Sequence, residues 1–164
     1  VLVGMATYTR IGVAGAALHM AHRALTAFVL AAAAHELEQE NRGLEEQPPT
    51  PYLWLALLLA VLAMTGVPPL AGFGSRWAVL QAASLVDWRL AAGLMTTSAV
   101  ALLAALTALG RLRRTYPAPW RRPTSVEVYL LGAATCTALW AVVPGPMLGA
   151  LHDAVSELTF LKPF

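Results

Sequence analysis

The sequence predicts an all-α membrane protein: a polytopic bundle of about five transmembrane helices, one of them broken near Gly72 to Arg76. Three observations carry this. Of the 164 residues, 58% are hydrophobic and only 12% charged, with a mean hydropathy of +0.62. A soluble domain of this size carries about 25% charged residues. The apolar residues come in long blocks rather than alternating stripes. The charges are also segregated: Glu36, Glu38, Glu40, Glu45 and Glu46 stand against Arg42, while Arg111, Arg113, Arg114, Arg121 and Arg122 have no acid among them.

Taken in order, residues 2–5 form a short apolar scrap, the tail of a preceding helix or a connection. The first long apolar run, 11–34, is about 24 residues and reaches across a roughly 30 Å hydrocarbon core. Residues 35–50 are acidic, end in Gln47-Pro48-Pro49-Thr50-Pro51 and read as a solvent loop. The second run, 52–67, starts with Tyr52 and Trp54 as interfacial anchors and is stopped by Pro68 and Pro69. The third, 72–86, is short and ends at Asp87-Trp88-Arg89. The fourth run, 90–109, is nearly all Ala, Leu, Thr and Met, and an arginine-rich segment, 111–125, follows it. The fifth run, 126–143, stops at Pro144-Gly145-Pro146, and the tail 147–164 holds an amphipathic surface-helix candidate. All of this forms a single membrane domain over 1–164. The chain starts without Met and inside an apolar stretch, as expected of a processed, split or partial piece of something longer.

Orientation follows from the arginines. Five in a short segment put 111–125 on the cytoplasmic side. Alternation over five crossings then puts the Pro68-Pro69 connection on that side too, with 35–50 and the C-terminus opposite.

Candidate chemistry is sparse. Cys136 is the only cysteine, which leaves no intrachain disulfide and no cysteine metal set. The basic segment lacks interleaved aromatics and reads as a topology determinant beside anionic lipid, with no nucleic-acid partner. His19, His22 and Thr26 share one helix face, at i, i+3 and i+7. They suit either a proton relay or hydrogen bonding between helices. Arg23 points about 100° away from His22 and suits snorkelling or pairing with a partner's acid. Gly66, Pro68, Pro69, Gly72 and Gly74 loosen the backbone ahead of Arg76. Arg76 stays protonated, so it acts as a fixed or mobile positive charge at a helix break, or as an interfacial cation.

The stretch Gly66-Val67-Pro68-Pro69-Leu70-Ala71-Gly72-Phe73-Gly74-Ser75-Arg76-Trp77 resembles the Gly-Ile-Pro-Pro-x-x-Gly-Phe-Phe-x-Lys-Phe signature of antiporter-like membrane subunits of respiratory complex I. These are relatives of multi-subunit sodium/proton antiporters and membrane-bound hydrogenases. In that family the signature joins the eleventh and twelfth transmembrane helices through a cytoplasmic connection, and the twelfth is broken around a functional Lys or Glu. Arg76 falls at that position. Residues 15–28 are similar to the family's His-Ala-x-x-Lys-Ala-x-Leu-Phe pattern, with His22 at the histidine and Thr26 at the lysine.

The resemblance, over roughly 11–143, implies a chain N or chain M type subunit contributing part of a proton path coupled to quinone reduction. Arg76, His22, His19 and Thr26 would lie on that path. It also implies other membrane subunits as partners, a lipid bilayer of the bacterial inner (plasma) membrane, and no redox cofactor in this chain; quinone, flavin and iron–sulfur clusters would sit elsewhere in the complex. Three departures stand out: Thr26 for lysine, Arg76 for lysine, and no counterpart of the family's fifth-helix glutamate and seventh-helix lysine. The competing functions are a sodium/proton antiporter or hydrogenase membrane subunit, and a non-conducting structural subunit.

Overall fold

A computed structural model of the chain describes residues 1–41, 49–68, 70–115, 120, 122–139, 149, 153–155 and 157. The short helix α1 (Leu2–Ala6) precedes five long ones: α2 (Arg10–Asn41), α3 (Pro51–Thr65), α4 (Ala71–Val86), α5 (Trp88–Thr115) and α6 (Ser125–Leu139). The expected all-α bundle is therefore present. Among the described residues, only α2 and α5 are by themselves long and apolar enough to cross a membrane. With 15 and 16 residues, α3 and α4 are about 22 and 24 Å long at 1.5 Å per residue.

The way these two short helices are laid down decides the architecture. Leu53, Trp54 and Leu57 of α3 pack on Ala33 and Leu37 of α2. Further along, the Ala63 carbonyl meets His22, Ser75 of α4 meets His19, and Gly15 sits against Ser75, Ala78 and Val79. As residue numbers rise through α3 and on through α4, the contacted positions of α2 fall without a reversal. The two helices are thus halves of one pass, antiparallel to α2 and interrupted at residues 66–70. Asp87, with extended backbone at φ −157° and ψ 123°, turns the chain. α5 then runs back beside both halves, from Arg76, Val79 and Leu80 at one level to the Leu53, Trp54 and Leu57 cluster, which its Leu109 joins. α6 descends parallel to α3, with Ala134 among Val29, Ala56 and Ala60.

This arrangement corrects the orientation argument. The Pro68 connection does not lie at a face of the bundle, because the backbone loses its helical hydrogen bonds there without changing direction. The contacts therefore show no reversal of the chain between the runs 52–67 and 72–86. As a result, Thr50 and Thr124 lie at the same end, both bonded to Glu127. The described residues that close the segments 35–50 and 111–125 therefore do not lie at opposite ends.

Two boundaries also shift. α2 continues through Asn41, since Glu36 and Leu37 are buried instead of solvated, and α5 continues to Thr115, with Arg113 and Arg114 in its last turn complementing the helix dipole. Trp54 is not an interfacial anchor but is buried in the core. Pro69, Glu45 and Glu46, the close of the fifth run at 140–143 and nearly all of the tail 147–164 lie outside the described residues.

Candidate functional site

The interruption of the α3–α4 pass is built from backbone chemistry first. A helix ending inside a bundle leaves its last carbonyls without partners. Here Gly66 takes the left-handed conformation at φ 71° and ψ 42°. Its N–H donates to the Ala63 carbonyl at 3.1 Å, and the Val67 N–H to the Leu62 carbonyl at 3.2 Å. This glycine-dependent closure satisfies two of the exposed acceptors. The chain then turns through Leu70 N–H to Val67 O, 2.8 Å, and Phe73 N–H to Leu70 O, 2.9 Å, into α4.

Side chains complete the closure. His22 Nε2 lies 3.0 Å from the Ala63 carbonyl. A carbonyl oxygen only accepts, so Nε2 carries the proton and the tautomer is set. The Arg76 guanidinium reaches back one turn from α4 and donates to the Thr65 carbonyl. It thereby places a cation at the negative end of the α3 dipole, a position that stabilises by about 0.3–1 kcal/mol and up to about 2 kcal/mol when partly buried. Gly72 permits the close approach: a Cβ there would fall 2.3 Å from the Ala63 oxygen and 3.1 Å from His22 Nε2.

A second polar link crosses from α2 to α4. His19 Nδ1 is 3.0 Å from the Ser75 hydroxyl, which also donates to the Gly72 carbonyl at 3.2 Å. Both histidines and Ser75 are buried. Thr26 is buried too, but its hydroxyl donates to the His22 and Arg23 carbonyls of its own helix, at 2.9 and 3.3 Å. The structure thus gathers His19, His22 and Arg76 around the interruption and leaves Thr26 facing its own backbone. Gly72 and Gly74 lie inside α4, and a Cβ at Gly74 would meet nothing within 4 Å, so Gly74 has no steric part in the break.

Sequence reasoning passes over Ser75 and Thr65, whose roles depend on neighbours distant in the chain. It also misses Glu127, fully buried at the far end of the bundle. One carboxylate oxygen of Glu127 accepts from the Thr50 N–H at 3.0 Å and the Thr50 hydroxyl at 2.5 Å; the other accepts from the Thr124 N–H at 2.7 Å. In return the Thr124 hydroxyl accepts from the Glu127 N–H at 3.2 Å, which completes a capping box at the start of α6. The signal that could have found it is Thr124-x-x-Glu127 ahead of an apolar run.

Comparison with known proteins gives the family. Residues 1–102 match the family model described as the transmembrane domain of NADH:quinone oxidoreductase and Mrp antiporters. The chain is 34% identical over 117 residues to an NADH-quinone oxidoreductase subunit N of Granulibacter bethesdensis, a match covering 63% of this chain and 24% of that protein. It therefore spans about a quarter of that relative's length. With more than half of its residues matched, the chain belongs to the NADH:quinone oxidoreductase/Mrp antiporter transmembrane family.

Proposed function

We propose that the chain is part of an antiporter-like subunit of a proton-pumping NADH:quinone oxidoreductase, contributing one stretch of a transmembrane proton path. The observation that carries this reading is the interrupted pass, where His19, Ser75, His22 and Arg76 converge between α2 and α4. Irregular backbone at membrane depth is tolerated where it is buried in protein or lines a water-filled cavity, and ionisable groups there mark ion pathways. In this role His19, which lines a cavity between α2, α4 and α5, exchanges protons with water there, and Ser75 holds its ring by a hydrogen bond. Arg76 does not carry protons; it sets the local potential and holds the α3 end closed. Electron transfer, with its flavin, iron–sulfur clusters and quinone, takes place in other subunits. Family membership and the name of the subunit N relative support the assignment.

The end of the bundle bearing Arg111, Arg113 and Arg114 faces the cytoplasm of a bacterial inner membrane, by the positive-inside rule. The interruption then lies partway across the bilayer. Because the family also includes Mrp antiporters, co-purification decides between assemblies: flavin and iron–sulfur subunits are expected with this chain, and an assembly lacking them overturns the oxidoreductase reading. The mechanistic test uses membrane vesicles holding the assembled complex. Arg76→Ala and His22→Ala should each lower coupled proton uptake by about tenfold, on the scale of one lost charge-assisted contact. Full uptake in both variants would leave the non-conducting structural role in its place.

A further inference from the structure

Two guanidinium groups share one pocket between α2, α4 and α5. The pocket is about 280 Å³ in volume and is lined by His19, Arg23, Arg76, Thr97 and Ser98 among others. The hydroxyls already use their protons on α5: Thr97 donates to the Gly93 and Leu94 carbonyls and Ser98 to the Leu94 carbonyl. Arg76 gives one N–H group to Thr65. Among the described residues Arg23 has no hydrogen bond or ion pair, and no carboxylate lines the pocket.

Arg23 cannot escape by reaching for the interface. It stands at the middle of the candidate span Arg10–Glu38, roughly 20 Å along the helix from either end. Its neighbour in sequence, His22, is bonded to Ala63 at the interruption, which fixes the same depth. Two like charges at that depth, sharing a pocket without a counter-charge, are costly unless an anion joins them. A lipid headgroup lies too far away. A guanidinium fork matches a carboxylate in shape as well as charge.

We infer that this pocket receives an aspartate or glutamate side chain from a neighbouring helix of the assembled membrane complex, paired with Arg23 and with Arg76 as second donor. The inference rests on the chain working inside such a complex.

A photo-crosslinking amino acid at Leu94, on the pocket's α5 wall, leaves both arginines in place and tests this in native membranes carrying the whole assembly. The expected product is an adduct on a membrane helix with an Asp or Glu within one helical turn of the attachment point. Arg23→Lys should retain that adduct and the recovery of complex on native gels. Arg23→Gln should lower recovery by about tenfold, as for truncation of one member of a buried charge pair. Adducts on lipid alone, adducts on a helix lacking an acid, or normal recovery of Arg23→Gln would each overturn the assignment. A chain that migrates alone on native gels would overturn the subunit reading together with it, whereas lipid-only adducts in an intact complex remove the pocket's occupant alone.

Discussion

The α3–α4 pass and α5 lie side by side and solve the same problem in opposite ways. α5 is 28 residues without interruption and, taken alone, has none of its residues buried. Its hydroxyls turn back on their own helix, Thr96 to Ala92, Thr97 to Gly93, Ser98 to Leu94 and Thr107 to Leu103. Every hydroxyl of the helix is thus satisfied locally, as an apolar surrounding demands. The α3–α4 pass instead gives up part of its helical hydrogen bonding and replaces it through the Gly66 turn, Arg76 and, from α2, His22. The contrast shows a break closed jointly by its own turn and cation and by a donor from a neighbouring helix. It also concentrates polar side chains at one level, the condition a proton path needs.

Glycine tests this contrast most sharply. Gly72→Val drives a side chain into the Ala63 oxygen and should destabilise by about 3 kcal/mol, the upper range for overpacking. Gly93→Val on α5 has open space around it and should change stability by no more than about 0.5 kcal/mol. Thermal unfolding of the two purified variants checks the pair; equal losses would mean that the interruption is no more tightly packed than α5.

Glu127→Ala removes the shared acceptor of Thr50 and Thr124 and should cost about 2 kcal/mol, the scale of a hydrogen bond to a buried charge. Urea or detergent titration of Glu127→Ala against Glu127→Gln reads this, with the amide expected to recover part of the loss. Gly66→Ala ranks below Glu127→Ala. The left-handed backbone at φ 71° penalises a Cβ by about 1 kcal/mol, so a modest fall in melting temperature is expected. An unchanged or higher melting temperature would show that the turn relaxes at no cost.

Much of the fold was legible in residues 52–67 and 72–86, whose apolar character marks both helices. Their length was legible too: neither approaches the ~20 residues of a full crossing. The alternation argument places a reversal between these runs because proline and glycine often turn a chain; here they only stop its hydrogen bonding. At the site, a cation beside Gly66 and Pro68 pointed correctly to Arg76 as a residue of the break. Its acceptor, Thr65 O, was not legible, because which carbonyl lies exposed depends on where the left-handed residue falls. His22 could be placed on an inward face by spacing, yet its bond to Ala63 requires the α2–α3 register, which no local pattern encodes. Trp54 was misplaced because the preference of tryptophan for interfaces is statistical, whereas the packing of α3 on α2 is specific.

The single carboxylate of Glu127 anchors Thr50, the first residue ahead of α3, and α3 is an unbroken rod of 15 residues that ends at the carbonyl held by Arg76. Over about 22 Å such a rod transmits displacement with little internal give. The Glu127 clamp and the Arg76 contact thus sit at the two ends of one rigid element, where a shift of about 1 Å along α3 would be enough to take a hydrogen bond out of range.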